Sequence, residues 1–461
     1  MTNQELMQRD LAVLWHPCTQ MHDHESLPII PIACGSGVRL TDFDGKVYLD
    51  AISSWWVNIW GHANPHINTA LKDQLDRLEH VILAGFTHEP IVTLSEKLLA
   101  LAPPGLSRCF YADNGSAAIE VALKMSMHSW RNRGETAKTR FVALAGSYHG
   151  ETLGALSVTD IPLFSATYGP LITAQYRVPS PDWTQAPGGV TPEAFARQQF
   201  VHLETLLAEK HAEISAVIVE PLVQGAAGMK MYHPVYLTLL REACNRYGVH
   251  LIADEIAVGF GRTGTFFACE QAGITPDFLC LSKALTAGYL PMSAVLTTET
   301  VYQSFYDRYE TLKGFLHSHS FTGNPLAARA ALASLELFGR DPGMTQQQAL
   351  SAVMRDELAG LAAHPNIVNV RQTGVIAAFD MVQDKIGKIP FDWRERRGLA
   401  VFQAALARGV MLRPIGNTVY VMPPYVMTPS ELRDVFSVAA DAVDHAVKAP
   451  AQGREQGVSL P

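Results

Sequence analysis

Lys283 stands where a lysine is costly. It follows the apolar run Phe278–Leu281 (FLCL) and Ser282. An ammonium at the inner end of a buried strand carries a desolvation cost unless it is paired or deprotonated. Desolvation lowers a lysine pKa, which suits an amine that attacks a carbonyl; the plainer reading is a lysine that snorkels to solvent. Three other features occupy comparable positions. Asp254 closes the run VHLIAD (Val249–Asp254), as a helix cap or as a functional carboxylate. Gly115 and Ser116, after Asp113-Asn114, would place free N–H groups and a hydroxyl at a helix N-terminus. That is an anion site or an ordinary helix start. Ser147-Tyr148-His149-Gly150 follows the run Arg140–Ala145, and Tyr148 is either a ring platform or a packing aromatic.

These features gain meaning together. An anion cup, an aromatic platform, a carboxylate and a lysine in successive loops fit one ligand. It has a phosphate, a flat ring with a basic nitrogen, and an aldehyde, which describes pyridoxal phosphate (PLP). The lysine would form an imine and shuttle protons, the aspartate would keep the ring nitrogen protonated, and the helix end would neutralise phosphate.

The elements that must position them are legible as α/β. Ile214–Glu220 (ISAVIVE) reads as a buried strand. Tyr236, Leu239, Leu240, Ala243 and Tyr247 then mark one helical face, which Gly248 can end. Val249–Asp254 and Phe278–Leu281 read as further strands. This alternation predicts a mainly parallel sheet flanked by helices, and such sheets bind ligands at the carboxyl ends of their strands. Val38–Phe43, Asp44-Gly45 and Val47–Asp50 form a hairpin signal. After Asn324 the chain turns helical, then mixed, with strands near Thr373–Met381 and Thr418–Met422. The expected organisation is an N-terminal segment (1–60) joining a small α+β domain (326–448), a large ligand-binding domain (61–325), and a disordered tail (449–461).

Composition bounds the partners. Of 461 residues, 48% are hydrophobic and 17% charged, so the chain can bury a large core. With 36 basic against 44 acidic residues the net charge is −8, which argues against nucleic-acid binding. No run reaches the length of a membrane span, and the N-terminus lacks the basic start and apolar stretch of a secretory signal. A cytoplasmic location is expected. The six cysteines form no C-x-x-C pair and read as reduced and mostly structural. No metal is expected.

Leu251–Gly264 (LIADEIAVGFGRTG) followed by Asp277–Gly288 (DFLCLSKALTAG) resembles the signature of class III PLP-dependent aminotransferases, a likeness that runs from about Leu14 to Tyr425. Within the class, Trp15-His16-Pro17, Ser53-Ser54-Trp55-Trp56, Val223-Gln224-Gly225, Met231-Tyr232-His233-Pro234 and Tyr420–Tyr425 (YVMPPY) resemble the branch that aminates 8-amino-7-oxononanoate in biotin biosynthesis. The resemblance implies a fold-type I homodimer with shared active sites. Lys283 would bond to the cofactor, Asp254 would meet its ring nitrogen, Gly115 and Ser116 would hold its phosphate, and Tyr148 would stack on its ring. Trp55 and Tyr148 would line the slot for the substrate's apolar chain, and Trp55, Trp56 and Glu151 are candidates for the aromatic or acidic wall that a cationic donor such as S-adenosylmethionine would suit. Arg413 would bind the far carboxylate, and Arg262 would assist the amino donor. His317–Asn324 would reach across from a second subunit, with Ser318 near substrate and Ser320 and the His319 backbone at phosphate. Many members carry tyrosine where this chain has Cys18, and Gly-Pro-Thr where it has Ser318-His319-Ser320. The donor is thereby open between S-adenosylmethionine and lysine. A wider alternative is an ω-aminotransferase for polyamines or β-amino acids. A catalytically silent relative would have no need of both Asp254 and Lys283.

Overall fold

The structure, a computed structural model, describes residues 1–449; apart from Ala449, the expected tail lies outside the described residues. Its centre is a seven-stranded sheet: β1 (Leu106–Ala112), β2 (Arg140–Leu144), β3 (Tyr176–Val178), β4 (Ile214–Val219), β5 (His250–Asp254), β6 (Phe278–Leu281) and β7 (Ser293–Thr298). The spatial order is β1-β7-β6-β5-β4-β2-β3. β6, β5, β4, β2 and β3 pair in parallel. β7 lies antiparallel to both β6 and β1, so β1 runs with the others and β7 alone is reversed. The sequence did not signal that reversal: β6 and β7 are joined without a crossover helix, through Lys283–Met292.

β4 and β6 are buried at every position, which explains why they read as unbroken apolar runs and not as alternating ones. The helix Val235–Tyr247 buries Tyr236, Leu240 and Ala243, and Gly248 caps it in the left-handed conformation at φ 60°. Leu239 and Tyr247 of the expected face are only partly buried against the same core. Gly115–Asn132 is the longest helix on the sheet's other side, burying Ala118, Val121, Ala122 and Met125.

Two smaller sheets flank this centre. The hairpin Arg39–Asp42/Val47–Asp50 pairs with Ile32–Ser36 and, in parallel, with Val410–Met411. The chain's first strands are thus bonded to a strand near its end. The other sheet joins Ile367–Thr373, Ile376–Asp384, Ile389–Pro390 and Thr418–Val421. Helix Pro325–Arg340 packs on helices Pro65–Leu75 and Glu89–Leu101 and on the turn Lys283–Thr286. Among the described residues, no helix is long and apolar enough to cross a membrane. No cluster of three His, Cys, Asp or Glu side chains could hold a metal ion among those residues. All six cysteines are free, and Cys244, Cys269 and Cys280 are buried.

Candidate active site

Five strands that run the same way deliver their carboxyl ends to one edge of the sheet. Asp254 is the last residue of β5, Glu220 follows β4, Lys283 lies two residues past β6, Tyr148 and His149 follow β2, and Gly115 opens the helix after β1. All six residues line one cavity of about 350 Å³, together with Ser116, Trp56 and Glu151.

The anion cup is built as its sequence implied. Asn114 caps the helix by accepting from the Ala117 N–H at 3.0 Å, which leaves the Gly115 and Ser116 N–H groups facing the cavity they line. The Ser116 hydroxyl accepts from the Glu151 and Thr152 N–H groups at 3.1 and 3.0 Å and shares a hydrogen bond with the Thr152 hydroxyl at 2.8 Å. Glycine is required at 150: a Cβ there would meet Ser116 Oγ at 2.4 Å, and φ is +123°.

Asp254 is 5% exposed. Its Oδ1 accepts the Ile256 N–H at 3.1 Å, and its Oδ2 lies 2.7 Å from His149 Nδ1. A carboxylate only accepts, so Nδ1 carries the proton. The opposite ring nitrogen, His149 Nε2, is buried without a partner. Sequence reasoning gave His149 no role, although it sits inside a motif already singled out.

Glu220 was missed as well. Its Oε2 accepts the Tyr148 N–H at 3.0 Å and its Oε1 the Gly225 N–H at 2.9 Å, so it ties the Tyr148 loop to the following hairpin. Burial pushes its carboxyl up to about 7, with His149 pulling it down and Asp254 adding to the rise. Between its ordinary 4.5 and about 7, the folded protein keeps a proton that the unfolded chain has released. That contribution is full below 4.5 and is lost as pH rises through about 7. Glu255, buried and also raised to about 7, adds a slope of the same sign. In Glu220→Gln the Glu220 part vanishes and the Glu255 part cancels in the comparison. Wild-type Tm minus variant Tm should therefore fall between about pH 5 and about pH 8. Thermal unfolding checks this, and a constant difference would contradict it.

Lys283 lines the same cavity. Burial lowers its pKa, partly offset by the charges of Asp254 and Glu220, so a larger share of the amine is free base than on a surface lysine. Its Nζ lies 4.6 Å from the centre of the Trp56 ring, and that indole donates to the Tyr420 hydroxyl at 3.1 Å. The two tryptophans thus take separate places. Trp56 walls the cavity beside Lys283, while Trp55, 43% exposed, lies under the Arg413 guanidinium at 4.7 Å. The Arg413 Nη2 donates to the Cys18 carbonyl at 3.5 Å, and no carboxylate among the described residues pairs with it. The Cys18 thiol is raised by burial and by Glu151 and lowered by Arg413, so both a cavity-lining carboxylate and the arginine act on it. The Tyr148 hydroxyl donates to Glu151 at 2.8 Å, and burial drives its own pKa far upward.

One expectation is corrected. Arg262 is not open to a donor: it is 0% exposed, donating to the carbonyls of Pro423 at 2.7 Å and Trp56 at 3.3 Å, with Tyr425 stacked on it at 5.1 Å. It is a buried pin between segments. Ser318, His319 and Ser320 do not reach the cavity of their own chain. Ser318 and Ser320 are exposed, and His319 Nδ1 lies 3.1 Å from Asp113 Oδ2.

The residues present fit the cofactor that the sequence implied: a glycine-lined anion cup, a buried carboxylate, a desolvated lysine and an orphaned imidazole nitrogen around one cavity. Residues 20–443 match the family model Aminotransferase class-III, and the chain belongs to that family. Class III aminotransferases use pyridoxal phosphate. The chain is 43% identical over 430 residues to the adenosylmethionine-8-amino-7-oxononanoate aminotransferase of Geobacter sulfurreducens, covering 93% of this chain and 95% of that one. It is 44% identical to the protein of that name from Helicobacter pylori, covering 94% and 97%. Among solved structures, it superposes on the adenosylmethionine-8-amino-7-oxononanoate aminotransferase of Methanocaldococcus jannaschii with a TM-score of 0.90 at 33% identity, covering 96% and 99%. An ω-transaminase from Pseudomonas jessenii in complex with PMP gives 0.91 at 29%, covering 96% and 98%.

Proposed function

We propose that this protein moves an amino group from S-adenosylmethionine to 8-amino-7-oxononanoate, giving 7,8-diaminononanoate in biotin biosynthesis. Relatives more than 40% identical along their whole length carry that name. The observation that carries the acceptor is Arg413: a guanidinium that pairs with no carboxylate among the described residues, seated on Trp55 and acting, like the cavity-lining Glu151, on Cys18. It suits a substrate with an apolar chain and a distant carboxylate, which an arginine holds through two parallel hydrogen bonds.

When bound, pyridoxal phosphate supplies an aldehyde that takes up the amino group and a ring that accepts the electron pair left behind. Gly115 and Ser116 would hold its phosphate, Tyr148 its ring face, and Asp254, fixed by His149, its ring nitrogen. Lys283 Nζ would hold its aldehyde carbon. The same amine takes a proton from the carbon that bears the donor's amino group, and later delivers one to C7 of the acceptor. Its lowered pKa suits the first transfer. Glu220 keeps the Tyr148 backbone in place from behind.

In Arg413→Ala, the acceptor's KM should rise roughly 10- to 150-fold, the worth of hydrogen bonds to a charged group, while the KM for a simple ketone or aldehyde acceptor lacking a carboxylate stays within about twofold. Steady-state kinetics with both substrates checks this. An unchanged KM for 8-amino-7-oxononanoate would remove Arg413 from the site.

The working unit is proposed to be a cytoplasmic homodimer. Ser318 and Ser320 miss their own cavity, and exposed Leu312, Leu316 and Phe321 lie beside them. A second copy would cover these side chains and receive Ser320 at its phosphate. Sedimentation should give twice the chain mass of 50.4 kDa; a monomer with full activity would contradict it.

A further inference from the structure

The two tryptophans stand on backbone that L-residues avoid. Ser53, Ser54, Trp55 and Trp56 have φ of 52°, 44°, 70° and 74°: four successive left-handed residues with no glycine among them. Each such residue is unfavourable, and runs of them are rarer still. Strain of this kind persists only where the surroundings over-determine it.

Here the surroundings converge on one carboxylate. Asp50 closes the strand Val47–Asp50 and is 0% exposed. Its Oδ1 accepts the N–H groups of Ile52 at 3.2 Å and Ser54 at 2.9 Å. Its Oδ2 accepts the Ser54 hydroxyl at 2.7 Å and meets His62 Nε2 at 3.0 Å. The Asn58 amide donates to His62 Nδ1 at 3.0 Å, which leaves the ring proton on Nε2, aimed at Asp50. The Asp50 charge also acts on Arg262, whose guanidinium holds the Trp56 carbonyl. One buried acid therefore binds the turn from its side chains, its backbone and its far end.

We propose that Asp50, backed by His62, is the positioning residue that sets the Trp55 and Trp56 rings against Arg413 and Lys283, and thereby sets the preference for an acceptor with a long apolar chain and a far carboxylate. The inference rests on the proposed placement of that carboxylate at Arg413. Asn at position 50 keeps the size and one accepting oxygen, but its amide cannot accept from His62 or from the Ser54 hydroxyl.

The test is a double-mutant cycle read as binding of nonanoate, which carries the carboxylate and the chain, to the PLP-loaded protein by calorimetry. Asp50→Asn should weaken nonanoate about tenfold, and less than about twofold on a Trp55→Ala background. Equal penalties on both backgrounds would overturn the inference, because a loss unrelated to Trp55 is additive. No penalty from Asp50→Asn would overturn it too. If Asp50→Asn does not fold, as judged by its Tm, His62→Gln enters the same cycle with the same two readings. Unchanged nonanoate affinity in Arg413→Ala would strike the carboxylate's placement instead, while the Trp55 cycle still reads Asp50.

Discussion

Lys283→Ala should lower turnover by at least about ten-thousandfold, because one side chain supplies both the covalent hold and the proton transfer. The cause is visible in its surroundings. The amine is enclosed by Trp56, Asp254, Glu220 and the cavity, and burial lowers its pKa against the pull of two carboxylates. Elsewhere in the described chain, the buried lysine Lys138 donates to the carbonyls of His211, Ile214 and Gly248, as a structural ammonium does. Lys283 has no such bonds and is held ready by its position alone. Borohydride reduction followed by peptide mass spectrometry gives a second readout. A PLP-derived mass should appear on the peptide containing Lys283 in the wild type and on no peptide of the variant. Turnover retained in Lys283→Ala would refute the assignment.

Asp254→Asn should cost about 150-fold in kcat, or roughly 3 kcal/mol, which is what losing one partner of a buried charge pair typically costs. An asparagine oxygen can still accept from His149 Nδ1, but its amide nitrogen then faces the Ile256 N–H, so the charge and that one hydrogen bond are lost together. The change should fall on kcat, with the variant's Tm within a few degrees of wild type. A kcat within about threefold of wild type would show that no ring nitrogen depends on this carboxylate.

The parts of the site that could be read in advance share one physical property. Lys283, Asp254 and Gly115-Ser116 each follow an apolar run that can only be a buried strand, so a polar group there must lie at a strand end. Glu220 carries the same signal, an acid closing ISAVIVE, but it was absorbed into the strand that precedes it. His149 was hidden between two neighbours with more obvious uses. The separate orientations of Trp55 and Trp56 were not legible, because both rings are oriented by a left-handed turn that no glycine announces and that depends on Asp50 and His62. Arg262 was given a donor role by the family resemblance alone. Its burial depends on Pro423, more than 150 residues away, a distance that no local pattern spans. The segment Ser318–Ser320 cannot be placed from one chain at all if its site lies on a second copy. For the fold, the parallel strands were plain from their spacing, while the reversal of β7 turns on the absence of a crossover helix, a weaker cue.

The most direct test loads the purified, PLP-bound protein with an amino group from S-adenosylmethionine, removes the donor, and adds 8-amino-7-oxononanoate. Products are then counted by mass spectrometry. One 7,8-diaminononanoate per active site is expected, preceded by loss of the cofactor's visible band on addition of S-adenosylmethionine. Loss of the band with lysine in place of S-adenosylmethionine would keep the acceptor and change the donor. No diaminononanoate from either donor, with the band responding to diamines or β-amino acids, would contradict the proposed reaction and point to an ω-aminotransferase.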